Sequence, residues 1–205
     1  FVTKTDKHVE KILIEELSKT KKNYSFLSEE VGSIQNKDKD NIWIIDPIDG
    51  TTNFMHGIPH FAISIALKSK DEIIAGLIFD PIKNEIFYAE KNNGAYFNNQ
   101  RIRVSKKRNI KECLFATGGK EEIDNKLNTR KSGSAALDLA YVGAGRYDGY
   151  FQKKLNIWDI AAGIIIVSEA GGRTNDIDYS NYKNINVLAS STSMYENMLK
   201  NLNNF

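Results

Sequence analysis

The sequence predicts an α/β protein in two parts, an α+β N-terminal lobe over residues 1–115 and an α/β C-terminal lobe over residues 116–205. Three observations carry this expectation. Short alternating segments separated by turn residues crowd positions 61–104, the pattern of an antiparallel meander. Beyond Cys113, helix-forming runs alternate with short branched runs, as in α/β chains. The chain has 205 residues, 41% of them hydrophobic. A chain of that size can bury about 70% of its unfolded surface.

The elements follow in order. Val9, Ile12, Leu13 and Leu17 recur at helical spacing, with Thr5 or Asp6 as the expected cap. Asn36 to Asn41 is polar and reads as a loop. Ile42-Trp43-Ile44-Ile45, stopped by Asp46-Pro47, reads as a buried strand. Phe61, Ile63, Ile65 and Leu67 alternate with small residues as a second strand. Ile73 to Phe79, Ile86 to Ala89, Ala95 to Phe97 and the Ile102–Val104 pair extend the meander. Ser134 precedes a helical run from Ala135 to Ala140, and Gly149-Tyr150-Phe151 suits a short strand. A helix opens at Asp159 and ends at Gly171-Gly172. Ile185 to Ala189 and Met194 to Leu202 give a last strand and a last helix.

The balance of 28 basic and 26 acidic residues leaves a net charge of +2. No nucleic-acid partner is expected from it, since that needs basic residues gathered on one face. The densest basic segment, Arg101 to Arg108, reads as the solvated end of a strand. The longest apolar run, Ile160 to Val167, falls far short of the ~18 residues of a membrane span. No secretory signal is visible, and the lone Cys113 has no partner for an internal disulfide. A cytoplasmic protein without membrane attachment is expected.

The chemistry concentrates in Asp46-Pro47-Ile48-Asp49-Gly50-Thr51-Thr52-Asn53-Phe54. Two aspartates three apart, where a strand leaves a sheet, can converge on one point. Converging carboxylates repel unless a cation or a proton lies between them. Oxygen-only ligands suit Mg²⁺, Mn²⁺ or Ca²⁺. Gly50 and Thr51 add backbone N–H groups and a hydroxyl suited to phosphate oxygens.

This nonamer resembles the signature of the inositol monophosphatase family, Mg²⁺-dependent, lithium-sensitive phosphomonoesterases. Further segments are similar in the same order: Val2-Thr3-Lys4-Thr5-Asp6, Phe26-Leu27-Ser28-Glu29-Glu30, Gly133-Ser134-Ala135-Ala136, and Trp158 to Gly163 followed by Glu169-Ala170-Gly171-Gly172. The resemblance implies a layered αβαβα sandwich and hydrolysis of a small-molecule phosphate monoester by metal-activated water. It implies two or three Mg²⁺ ions held by Glu29, Asp46, Asp49, Asp159 and the Ile48 carbonyl. Thr51, with Glu29 or Asp6, would orient and deprotonate the attacking water. Gly50 and Thr51 would hold the phosphate beside Asp49 and Asp159, and Gly133, Ser134, Ala135 and Gln152 would line the pocket for the alcohol portion. A homodimer is also implied, as are a helix before Phe1 and longer loops near 118–130 and 176–184.

The chain departs from the family pattern at Gln152, where many relatives carry a glutamate. Fructose-bisphosphatase-like and 3′-phosphoadenosine-phosphate-phosphatase-like activities are the nearest alternatives. A binding role in transcription and RNA processing is another. The bland readings are a helix cap for Asp6, a solvated neighbour for Glu30, pocket-rim positions for His56 and His60, inter-lobe packing for Trp158 and an inert core thiol for Cys113.

Overall fold

The structure, a computed structural model, describes residues 3–119 and 127–202. Val2 of the early motif and residues 120–126 of the expected longer loop lie outside the described residues. Helix α1 (Lys4–Thr20) is followed by β1 (Tyr24–Ser28), β2 (Gly32–Ile34), β3 (Asp38–Asp49), the short helix α2 (Thr51–Met55), β4 (Ala62–Ser69), β5 (Glu72–Asp80), β6 (Glu85–Glu90), β7 (Gly94–Phe97) and β8 (Gln100–Arg101). Then come a 3₁₀ turn at Ile110–Glu112, β9 (Phe115–Ala116), β10 (Thr129–Arg130), α3 (Ala135–Gly143), β11 (Gly149–Leu155), α4 (Ile157–Glu169), β12 (Gly172–Thr174), β13 (Ile185–Ser191) and α5 (Thr192–Asn201).

The strands form two mixed sheets. The first has the order β2-β1-β3-β4-β5-β6-β7-β8, with β1 parallel to β3 and an antiparallel meander from β3 onward. The second has the order β10-β9-β11-β13-β12. Helix α1 packs on β1 and β3, α3 and α4 touch strands of both sheets, and α5 packs on β12 and β13. The layers are therefore helix, sheet, helix pair, sheet, helix. The middle helices are apolar almost all round, because each meets protein on two sides: Leu137, Leu139, Ile160, Ala161 and Ile166 are all fully buried. No helix among the described residues is long and apolar enough to cross a membrane.

Several expected details move. The cap of α1 is Thr3, which accepts from the Asp6 N–H while Asp6 accepts from the Thr3 N–H, a capping box. The buried stripe of α1 is led by Asp6 and Glu10, whereas Ile12 is exposed. Asp38 to Asn41 belongs to β3 and not to a loop. Asp38 satisfies its polar end locally by accepting from the Asp40 and Asn41 N–H groups. Beyond β8 the Ile102–Val104 pair is not strand; the Val104 N–H donates to the Ala170 carbonyl at the end of α4. Helix α4 begins at Ile157 behind Asn156, two residues earlier than Asp159.

Candidate active site

Asp46 and Asp49 lie three residues apart on β3, an odd spacing that would place them on opposite faces of a regular strand. The pairing with β4 shifts register between them, from Asp46 against Ser64 to Asp49 against Ala62. This irregularity leaves both carboxylates buried as electrostatic neighbours. Asp46 accepts from the Ile48 N–H at 3.0 Å. The chain then turns sharply at Gly50, whose φ is +95°. A Cβ there would meet the Gly133 and His60 carbonyls at 3.2 Å each, so only glycine fits without a shift. Thr51 opens α2 and donates its hydroxyl to the Ile48 carbonyl at 2.9 Å.

Three other segments reach the same place. The loop before α3 brings Ser134, whose hydroxyl donates to Asp49, and Ala136, whose N–H donates to Asp49 at 2.8 Å. The first turn of α4 brings Asp159, which accepts from the Asn156 N–H at 2.7 Å. Glu29 lies on the turn between β1 and β2; its N–H donates to the Ile45 carbonyl and its carboxylate is an electrostatic neighbour of Asp46. Asp6, fully buried on α1, is an electrostatic neighbour of Glu29.

Crowding like charges out of water raises their proton affinity. Glu29 keeps an exposed face, but partial desolvation of its carboxylate pushes it up to about 7, with Glu30, Asp49 and Asp6 adding to it and Asp46 opposing it. Burial, then Asp49, pushes Asp159 up to about 7. Burial raises Asp49 to about 6 against the hydrogen bonds from Ser134 and Ala136. Asp46 lies well above the carboxylate range through burial and the charges of Asp49, Glu29 and Asp159.

Glu29, Asp46, Asp49, Thr51, Ile48 and Asp159 are thus brought together, with Asp6 beside them. Gly133 lies against Asn53 and Gly50. Ser134 and Ala135 are buried, and the Ser134 hydroxyl is committed to Asp49. Gln152 stands on β11, where its carbonyl accepts the Tyr150 hydroxyl at 2.7 Å and packs tightly on Gly118. No hydrogen bond among the described residues links Gln152 to the four carboxylates. His56 is exposed over the Thr52 carbonyl, and His60 packs edge-on against Tyr141. Cys113 is buried and its thiol is pushed up to about 11 by desolvation, as an inert core thiol should be.

The roles of Asn53 and Asp138 are not legible in the motifs. Asn53 donates to the His60 carbonyl at 2.8 Å and to the Ser132 carbonyl at 2.9 Å, stapling both flanking loops to α2. Asp138 is buried on α3 and raised well above its usual range by desolvation, with Ser132 opposing and the charge of Asp49 adding to it. Its signal was a lone acid inside an apolar helical run.

Among the described residues, no three His, Cys, Asp or Glu side chains form a group ready to enclose a metal ion. Asp46, Asp49 and Asp159 each accept a backbone N–H, and Glu29 turns to Asp46. The donor set nevertheless fits a hard cation. It offers oxygen only, and its carboxylates raise one another's proton affinity, a repulsion that a bound cation relieves.

Two mixed sheets enclosing a helix pair, with buried carboxylates at the exit of a central strand, define a layered α/β protein with an oxygen-donor site. The chain belongs to the inositol monophosphatase family, whose model matches residues 1–204. It is a phosphoric monoester hydrolase by that membership. It is 40% identical to an inositol-1-monophosphatase of Caulobacter vibrioides, over 98% of this chain and 87% of the relative. It is 41% identical to a Nus factor SuhB of Haemophilus influenzae, over 98% of this chain and 82% of that one. The crystal structure of the extragenic suppressor protein suhB from Bartonella henselae superposes with a TM-score of 0.91 at 40% identity, covering 99% of this chain and 86% of that chain.

Proposed function

We propose that the chain hydrolyses a phosphate monoester of a polyol or sugar, myo-inositol monophosphate first among them, with Mg²⁺ as cofactor. The observation that carries this reading is the buried Asp46–Asp49 pair, flanked by Glu29 and Asp159 and followed at once by Gly50 and Thr51. Glu29, Asp46, Asp49, Asp159 and the Ile48 carbonyl would hold two or three ions. When bound, such ions offset the charge of a phosphate dianion and acidify a water molecule. The chain's own residues do the rest. Thr51, its proton committed to the Ile48 carbonyl, presents hydroxyl lone pairs that orient the attacking water. Glu29 or Asp6 takes that water's proton. The Gly50 and Thr51 N–H groups hold the phosphate, and Gly133, Ala135 and Gln152 face the alcohol portion. Ser134 acts through Asp49, to which its hydroxyl is bound.

The same reading places the site between lobes of residues 1–115 and 116–205, in a homodimeric, lithium-sensitive cytoplasmic enzyme. The test is phosphate release from inositol 1-phosphate, fructose 1,6-bisphosphate and 3′-phosphoadenosine 5′-phosphate, with and without Mg²⁺. Mg²⁺-dependent turnover that favours inositol phosphate supports the reading. Release from none of the three, or release indifferent to Mg²⁺, overturns it. Inhibition by Li⁺ that Na⁺ does not match would add to it.

One observation favours a second, binding role of the kind the name Nus factor denotes. A cavity of about 450 Å³ beside Ala170 and Gly171, at the C-terminal end of α4, is lined by Arg103, Lys106 and Arg108 together with Ser105 and Ser193. Among the described residues no carboxylate lines it, and none of these three cations forms an ion pair. Asp159 lies in the first turn of the same helix, so along the helix axis the cavity is about 17 Å from that carboxylate. Copurification with RNA polymerase that survives Asp49→Asn but is lost in Lys106→Glu/Arg108→Glu would support this role. Its absence from the unmodified protein would dismiss it.

A further inference from the structure

Glu10 is fully buried on α1, one turn beyond Asp6, and belongs to none of the family-like motifs. Its Oε1 crosses to the turn between β1 and β2 and accepts the Glu30 N–H at 3.1 Å and the Val31 N–H at 3.4 Å. That turn has three residues, Glu29 to Val31, and closes at Gly32 with φ +79°. On the other side of Glu29, its own N–H is held by the Ile45 carbonyl of β3. Glu29 is therefore anchored through both flanking peptides, one to the central sheet and one to a helix. Among the described residues no cation forms a salt bridge with Glu10. A buried carboxylate is costly unless it is hydrogen-bonded, and at Glu10 those bonds go to backbone N–H groups of the turn.

We propose that Glu10 is a positioning residue that fixes the 29–31 turn and thereby aims the Glu29 carboxylate at Asp46 and Asp49. The proposal rests on the reading of Glu29 as a cation ligand. Residues that orient metal ligands typically change affinity by about 10–100-fold when removed. Glu10→Ala should weaken Mn²⁺ binding, read by electron paramagnetic resonance of the free ion, by about tenfold or more. The Mg²⁺ concentration for half-maximal phosphatase activity should rise in step, with kcat at saturating Mg²⁺ changed much less. Glu10→Gln keeps the carbonyl acceptor and should stay within about threefold of the unmodified protein.

Amide exchange of Glu30 and Val31 in the unmodified protein gives a readout that needs neither metal nor folded variants. Both amides should be protected, and exchange at the rate of an open turn would overturn the proposal. Equal losses in Glu10→Gln and Glu10→Ala would also overturn it, because charge and not the acceptor would then matter. So would unchanged Mn²⁺ binding in a folded Glu10→Ala. If the unmodified protein binds no Mn²⁺ while both amides are protected, the ligand reading of Glu29 fails and the anchoring stands.

Discussion

Ser134, in the loop before α3, donates its hydroxyl to Asp49 at the end of β3, and the same oxygen accepts the Leu137 N–H to cap α3. One buried side chain thus starts a middle helix and holds a site carboxylate across 85 residues of sequence. Ser134→Ala removes both bonds and leaves Asp49 with a lost donor. Stability should fall by roughly 1–3 kcal/mol in urea unfolding, and the Mg²⁺ requirement should rise. An unchanged unfolding midpoint would show that neither bond contributes.

Asp46→Asn separates charge from shape. The amide keeps an acceptor for the Ile48 N–H but removes the most crowded carboxylate of the group. Without Mg²⁺ at pH 8 the variant should melt higher than the unmodified protein, and turnover should be abolished. Less relief is expected of Asp49→Asn, because the Ser134 hydroxyl and the Ala136 N–H already favour the charged form of Asp49, whereas Asp46 is raised by the charges of Asp49, Glu29 and Asp159. A lower melting point for Asp46→Asn would mean that its hydrogen bonds outweigh the repulsion.

The repulsion also fixes the sign of the pH dependence. Glu29 and Asp159 lie near 7 and Asp49 near 6 in the folded chain, all above their ordinary values of 4.5 and 3.8. The folded state then binds more protons than the unfolded state between about pH 4 and pH 7, so stability falls as pH rises through that window. Chemical unfolding in EDTA from pH 4 to 8 should show this falling limb, and Mg²⁺ should flatten it most at the alkaline end. A limb that rises with pH in EDTA would contradict the crowding.

The meander and the middle helices were legible because their patterns are simple. Alternation in β4 and a two-sided apolar run in α4 each have one interpretation. Strand β1 was missed because four of its five residues are buried, which erases alternation, and because its partner β3 begins with the polar Asp38-Lys39-Asp40-Asn41. The stripe on α1 misled for a physical reason: Asp6 and Glu10 occupy its inner face because they serve the site and the turn, while Ile12 is turned outward. The site carboxylates were visible as a motif. Their supports, Ser134 on Asp49, Asn53 on two loops and Glu10 on the Glu29 turn, were not, since each hydrogen bond spans distant sequence.

Asn53 supplies a further check. Its amide donates to two backbone carbonyls, and Gly133, with φ +88°, lies against it so closely that a Cβ would come within 2.8 Å of Nδ2. Asn53→Ala leaves the His60 and Ser132 carbonyls without that partner and should cost about 1–3 kcal/mol. Because both loops border Gly50, kcat should fall as well. Unaltered kcat in a destabilised variant would confine Asn53 to the scaffold.

Gln152→Glu tests the pocket for the alcohol portion. The carboxylate keeps an acceptor for the buried Tyr150 hydroxyl, so the fold should be undisturbed. What changes is the other end of the group: two N–H donors become an acceptor-only oxygen. A substrate hydroxyl donating there gains a charge-assisted bond, about twice as strong as a neutral one. A second phosphate there is repelled. Catalytic efficiency for inositol monophosphate relative to fructose 1,6-bisphosphate should therefore rise, by roughly tenfold if the bond contributes ~1.4 kcal/mol, while the Mg²⁺ requirement stays fixed. Gln152 has no hydrogen bond to the carboxylates among the described residues, so a shift in the Mg²⁺ requirement would place it nearer the cations than β11 suggests. If neither the ratio nor the requirement moves, Gln152 serves only to hold Tyr150 and Gly118 in place.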